Sequence, residues 1–352
     1  MHCIQNNSIE NLIFDISLAR ITFLSCKEKN ILSKKLDSYY SLALLSIEEI
    51  FKIIDKPISS RAQWNGAENL KAAQKAAQIC LNRGFKLIKN DDAAYPELLR
   101  NIEDPPFVLY CWGNVSALTE KSVSVVGTRR LTAQGRKAAF QFAFDAAKDG
   151  CNVVSGLAYG ADFYAHKGAV DAFYDIDTDL QVPSVGKTIA VLPSGIDEIV
   201  PSVNKSLAGR ILKSGGCIIS EYEPGSMMAS WHFVARNRIV AGLSPATVVI
   251  EAPVGSGALI TADMALEDGR DVFFHKAAIS DDAEHVSEIV RRDLEVRFAR
   301  KEVSKYKIEN TISKYLEAGA GVITSYDDYK TALSEMPGVR NARQALVQGE
   351  LF

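Results

Sequence analysis

Four β-branched runs in this sequence end in loops of glycine and small residues. Gly127-Thr128-Arg129-Arg130 follows SVSVV, Ser155-Gly156-Leu157-Ala158-Tyr159-Gly160 follows CNVV, and Pro193-Ser194-Gly195 follows TIAVL. The fourth, Gly255-Ser256-Gly257-Ala258-Leu259-Ile260-Thr261, comes after ATVVIEA. Glycine lets backbone N–H groups approach an anion closely, and a helix N-terminus adds partial positive charge. An arginine beside such a loop can complete the site with a two-pronged phosphate contact, which singles out Arg129 and Arg130. One such loop alone is most simply a tight strand-to-helix turn. Four on one sheet edge point to a phosphate-binding site. No loop has the G-x-G-x-x-G form with an acidic residue spaced for a ribose, so a dinucleotide fits poorly. Gly186-Lys187-Thr188 lacks the earlier glycine of a P-loop and precedes a strand instead of following one.

A second cluster is FVARNRIVAGLS over 233–244. On a helix, Phe233, Arg236, Asn237 and Val240 share a face, while Arg238 points roughly 200° away from Arg236 at about 100° per residue. At most one of the two arginines then lines a groove, and the other pairs with a carboxylate such as Glu221 or Glu251. Phe233 is either a core residue or a base-stacking platform. Asp162 and His166 stand four apart at the start of a helix, where a local hydrogen bond is geometrically allowed. With no nucleophile or third group beside them, a structural pair that fixes the loop is expected, and no catalytic residue. His2, His232, His275 and His285 show no ligand spacing, and the six cysteines (Cys3, Cys26, Cys80, Cys111, Cys151, Cys217) include no C-x-x-C pair. No metal and no cofactor is expected, and the cysteines read as reduced, buried thiols of a cytoplasmic protein.

The elements that must position these residues alternate from Lys121 onward. Short apolar runs at 123–127, 151–156, 188–192, 216–220, 246–252, 271–274 and 321–324 are separated by helical stretches, of which 136–149 is apolar nearly all round. Runs apolar on both faces are what a parallel sheet covered by helices requires. The expected fold is α/β: a Rossmann-like, doubly wound, mostly parallel sheet, with its ligand beyond the carboxyl ends of the strands. Ahead of it, helical spacing over 9–54 and 68–82, with Gly84 as a C-cap, marks a small N-terminal helical domain. The expected boundaries are a helical domain over 1–83, a connector over 84–120 punctuated by Pro96, Pro105 and Pro106, a core over 121–335 and a tail over 336–352.

Bulk properties agree. The 352 residues are 47% apolar and 24% charged, ordinary for a soluble globular protein. No long uncharged apolar run suggests a membrane span, and the N-terminus does not read as a signal peptide. A formal net charge of −3 argues against a wholly basic surface, so any phosphate binding must rest on a local patch.

The order of these motifs resembles the DNA-processing protein A (DprA/Smf) family. SVSVVGTRR with the later QG (122–135), SGLAYGADFYAHKGAV (155–170) and TIAVLPSGIDEIVPSVNKSL (188–207) are similar to its first three motifs. GGCIISEYEPG (215–225), FVARNRIVAGLS (233–244) and VVIEAPVGSGALITADMALEDGRDVF (248–273) complete the core, and GFKLIKNDDAAYPELLRNIEDPPFVLYCWGN (84–114) matches what precedes it. The resemblance covers most of 10–275 and resumes near 310–335. It implies a single-stranded DNA binder without an enzymatic step, which hands the strand to the RecA recombinase in transformation or recombination. It also implies a homodimer and a SAM-like helical domain. Carried onto this chain, it assigns the phosphate loop to Gly127, Thr128 and Arg129 with Arg130 beside it, its neighbour to Ser155 and Gly156, and a basic contact to Lys205. Phe233, Arg236, Asn237, Arg238, Ser256 and Gly257 complete the groove. Where the family has a proline–glycine turn, this chain has VFFHKAA and a charged insertion over 276–308, in which Val286, Ile289, Val290 and Leu294 suggest an amphipathic helix. The stretch after residue 335 is too short for the winged-helix domain of longer members. Gln348-Gly349-Glu350-Leu351-Phe352 resembles peptides that dock on the replicative sliding clamp; a tail packed on its own domain is the alternative. The competing function is an enzyme or sensor for a nucleotide derivative, of the phosphoribohydrolase kind, whose P-G-G-x-G-T-x-x-E loop is replaced here by GSGALITAD.

Overall fold

Serine caps start most of the first helices. The computed structural model describes residues 2–58, 63–175 and 185–335; the tail, with Gln348–Phe352, lies outside them. Helix α1 (His2–Ala19) is followed by α2 (Cys26–Lys35), α3 (Tyr39–Leu44), α4 (Ile47–Ile53) and α5 (Gly66–Arg83). Ser25 with Glu28, and Ser46 with Glu49, form reciprocal capping boxes, and Ser38 caps α3. Gly84 closes α5 at φ +68°, a left-handed conformation that glycine adopts without strain. Ile16, Leu18, Leu32, Leu42 and Ile50 are fully buried, and their cluster runs on into Tyr110, Leu192 and Ile218 of the sheet. The helices therefore share one core with a sheet face.

The rest of the chain alternates. In order come β1 (Lys86–Lys89), α6 (Glu97–Arg100), β2 (Val108–Gly113), β3 (Ser122–Val126), α7 (Ala133–Lys148), β4 (Asn152–Ser155), α8 (Ala161–Tyr174) and β5 (Thr188–Val191). Next are α9 (Lys205–Lys213), β6 (Cys217–Ser220), α10 (His232–Ala235), α11 (Asn237–Gly242), β7 (Ala246–Val249), α12 (Gly257–Glu267) and β8 (Asp271–His275). The last are α13 (Asp281–Ala299), α14 (Lys305–Glu309), α15 (Ile312–Glu317), β9 (Gly321–Ile323) and α16 (Tyr326–Ser334).

Among the described residues these strands form one nine-stranded sheet in the order β1-β2-β6-β5-β4-β3-β7-β8-β9. From β6 to β9 all pairs are parallel, while β2 runs antiparallel to both β1 and β6. From β3 the chain winds outward through β4, β5 and β6, then returns through α10 and α11 to β7 on the other side. The winding thus reverses between β3 and β7, which is where such sheets bind ligands. Strand β3 shows the period of two: Val123 and Val125 pack with α7 and α8, while the Ser124 hydroxyl donates to Val240 O (2.6 Å) on the opposite face.

Two expectations change here. Residues 84–120, expected to be a connector with one short strand in FKLI (85–88), supply that strand, a second one and one edge of the sheet. The reason is Val108–Cys111, buried throughout, whose side chains divide between the two cores; Pro105 and Pro106 only set the turn before them. The insertion over 276–308 does contain a helix, α13, but of its apolar residues only Leu294 is buried, and Ile289 is exposed. The insertion also meets the loop after β7: Ser287 Oγ accepts from Val254 N (3.1 Å), and Gly255 packs against Leu294 of α13 and Lys307 of α14. The insertion buttresses the loop that begins α12.

Candidate nucleic-acid interface

A cleft of about 370 Å³ lies at the β3–β7 reversal. The loop after β3 supplies Gly127, Thr128, Arg129 and Arg130; the loop after β4 supplies Gly156; Ser256 and Gly257 open α12; and Phe233, Arg236 and Asn237 come from α10 and α11. Backbone contacts lock the loops together. Thr128 N donates to Glu251 O (2.7 Å) and Ala161 N donates to Thr128 O (3.1 Å). Gly160, at φ +74°, lies so close to Thr128 and Arg129 that a Cβ there would meet their backbone at 2.2–2.7 Å.

Three helices begin at this edge, and their N-termini are treated differently. Glu251, only 2% exposed, fills the start of α7: it accepts from Thr132 N (2.9 Å) and the Thr132 hydroxyl. The start of α8 carries Asp162, whose carboxylate accepts from Gly156 N (3.1 Å) and Ala158 N (3.2 Å). At α12 no side chain caps, and the buried Ser256 hydroxyl has no partner. The start of α12 lines the cleft through Ser256 and Gly257, and its positive end is open to an anion from outside.

Arg236 lies beneath. It is 4% exposed; Nη1 donates to Val191 O, while Nε has no partner. Burial lowers its pKa and nearby Asp162 raises it. Burial likewise pushes the Asp162 carboxyl upward, opposed by Arg236 and the two N–H donors. Arg129 is exposed, makes no ion pair with a described residue, and holds its guanidinium 5.1 Å from the centre of the Phe233 ring. A cation with an unmet donor at the floor and two exposed arginines at the rim make a site that suits anionic groups.

Asp162 and His166 do not bond to each other, as their spacing allowed; each holds the 156–158 loop separately. His166 Nε2 accepts from Leu157 N (3.3 Å), which leaves Nδ1–H to donate to Thr188 Oγ1 (2.7 Å), and that hydroxyl donates to Val153 O (2.9 Å). Full burial, helped by Arg236, pushes the imidazole down to about 3, so it is neutral. Both side chains are occupied in supporting the loop.

Three expected contacts fall outside the cleft. The Ser155 hydroxyl is buried and donates to Val125 O (2.7 Å), because the pleat at the end of β4 turns it between strands. Lys205 is exposed at the start of α9, beyond β5. Arg238 points the other way from Arg236, as a period of about 3.6 demands, and grips Glu221 with Nη1 and Nη2 at 2.6 and 2.8 Å. Glu251, the other carboxylate considered for it, is taken by α7. Sequence reasoning missed the walls given by Ala158, Val234 and Thr261, whose residue types carry no chemical signal.

The family model described as DNA recombination-mediator protein A matches residues 86–293. The chain belongs to that family. Protein Smf of Borreliella burgdorferi is 32% identical over 242 residues, covering 69% of this chain and 68% of that one. Protein Smf of Synechocystis is 39% identical over 226 residues (63% and 52%), and DNA processing protein DprA of Streptococcus pneumoniae is 39% identical over 190 residues (54% and 62%). The matched stretch thus spans about half to two thirds of these relatives. The solved Streptococcus pneumoniae DprA superposes with a TM-score of 0.64 at 28% identity, over 91% of this chain and 97% of that one. DprA of Helicobacter pylori, a structure described as showing a single-stranded DNA binding mode, shares the fold with a TM-score of 0.51 at 24% identity, over 71% and 95%. No described helix is long and apolar enough to cross a membrane.

Proposed function

We propose that this chain binds single-stranded DNA through the cleft and acts without chemistry of its own, in the DNA-processing role its family relatives are named for. The observation that carries the reading is Arg236, buried with an unmet Nε in the same cleft as the unpartnered Ser256 hydroxyl and the open start of α12. Such a floor asks for an anion, and the cleft's open form suits a backbone phosphate. Arg129 and Arg130 at the rim would take the neighbouring phosphates, and Phe233 can stack a base. Asp162 and His166, the acid–base groups nearest the cleft, support the loop, which favours binding over catalysis. Protection of exposed or incoming strands, transfer to RecA, a homodimer, and docking on a sliding clamp through Gln348–Phe352 belong to the same reading.

Fluorescence anisotropy with labelled oligo-dT, duplex and mononucleotides tests it. Oligo-dT should bind best, and three phosphate contacts at about −0.7 each predict a log–log salt slope of about −2, or about twentyfold weaker binding from about 50 to about 200 mM salt. Equal affinity across salt, or a preference for the free nucleotide, refutes the reading.

A further inference from the structure

A second groove, of about 690 Å³, opens on the other side of the α10–α11 segment. Its walls come from three stretches far apart in the chain, among them Arg20 and Lys29 near the α1–α2 junction, Tyr110 of β2, and Glu223 and Trp231 after β6. Phe233, Arg236 and Val240 face the first cleft, while Trp231, Ala235 and Arg238 face the groove, so one short helical segment separates the two.

The two cavities differ in charge. In the groove the arginines are matched: Arg20 pairs with Glu223, and Arg238 with Glu221. Lys29 is half-buried and donates to Ala19 O (2.9 Å). A phosphate would find no unmatched arginine there, unlike in the cleft. What the groove offers is aromatic surface and unmet polar atoms. Trp231 is 62% exposed, yet its ring is braced: His232 meets it edge-on at 4.2 Å and itself stacks on Tyr222 at 4.0 Å. Tyr110 is 1% exposed and its hydroxyl has no partner; Glu223 Oε2 has none either. A braced aromatic plate in a groove also lined by a hydroxyl and a carboxylate oxygen without partners matches a nucleobase, which has an apolar face and a polar edge of donors and acceptors.

We propose that this groove is a base-binding subsite for the same single strand whose backbone lies in the cleft. The strand crosses the α10–α11 segment, about 10 Å wide as a helix is. A base beyond the crossing stacks on Trp231 with its polar edge toward Tyr110 and Glu223. The exposed Val234 and Met228 give the crossing an apolar rim. The inference rests on the strand-binding reading of the cleft.

The full chain, with Trp231→Ala and Trp231→Phe, is titrated with a short oligo-dT that fills the cleft alone and a long one that crosses the segment. Stacking of one base predicts about 5- to 150-fold weaker binding of the long oligomer by Trp231→Ala, unchanged binding of the short one, and recovery in Trp231→Phe. A long oligomer carrying 5-iodouracil should photocross-link to the peptide holding Tyr222 and Trp231. Parent-like binding of the long oligomer by Trp231→Ala, equal weakening of both oligomers, or cross-links confined to other peptides overturns the subsite. A Trp231→Ala chain with parent-like strand affinity but a changed oligomeric state makes this face a protein interface and overturns it too. If the parent binds neither oligomer, the cleft reading itself fails.

Discussion

Gly156→Ala tests the coupling between the loop after β4 and the buried arginine. Gly156 needs no positive φ, so alanine is not strained by its backbone; the conflict is one of space. A Cβ there would lie 2.0 Å from Nη1, 2.4 Å from Cζ and 2.5 Å from Nη2 of Arg236. An ordinary contact begins at about 3.4 Å, so the guanidinium must retreat by about 1.4 Å. Gly156 cannot retreat instead without stretching its N–H bond to Asp162, 3.1 Å long. Arg236 therefore leaves Val191 O and its place at the cleft floor. Losing one charge-assisted hydrogen bond to phosphate costs about 1.5–3 kcal/mol, about 10- to 150-fold in affinity. Overpacking lowers stability by about 1–3 kcal/mol. Anisotropy with oligo-dT well below the melting temperature separates the two, and the salt slope should become shallower by about 0.7. A variant that melts earlier but binds as the parent does would show that Arg236 serves the fold alone.

Other substitutions divide the arginines by role. Arg129→Ala should weaken binding of every sequence alike by about tenfold, with the melting temperature unchanged because the side chain is exposed. Arg129→Lys should recover only part, since lysine lacks the planar fork that also covers Phe233; full recovery would refute a two-pronged contact. Arg238→Ala should do the reverse, leaving Glu221 without its main partner at a cost of about 1–3 kcal/mol while a short oligo-dT binds as before; loss of that binding would return Arg238 to the site. His166 gives a pH signature. Its folded pKa of about 3 lies below the ordinary 6.5, so the unfolded chain binds the extra proton, and stability falls as pH drops from 6.5 toward 3 by up to about 1.4 kcal/mol per unit. Asp15, raised to about 6, opposes this between pH 6 and pH 3.8, so the comparison is with His166→Asn, whose melting temperature should fall less between pH 7 and pH 5; parallel curves would mean that His166 takes up its proton in the fold as readily as in the unfolded chain.

The alternation of strands and helices was legible because burial on both faces of a parallel strand forces β-branched runs, and glycine loops are local chemistry. The loop residues Gly127, Thr128, Arg129 and Arg130 could therefore be singled out from type and spacing, and they do line one cleft. Helical period also showed that Arg236 and Arg238 diverge. It could not say which way each faces, because that depends on Val191 O and Glu221, from strands far off in sequence. Strand β2 was illegible for a like reason: its pairing with β6 spans about a hundred residues, while the nearby prolines speak only of a turn. Spacing allowed Asp162 and His166 to bond each other, but the buried N–H groups of Gly156, Leu157 and Ala158 needed acceptors and took both side chains. The sequence by itself determined which residues could meet an anion. Tertiary structure decided which of them stay unpaired, because a polar side chain is satisfied by whichever buried partner the fold brings to it.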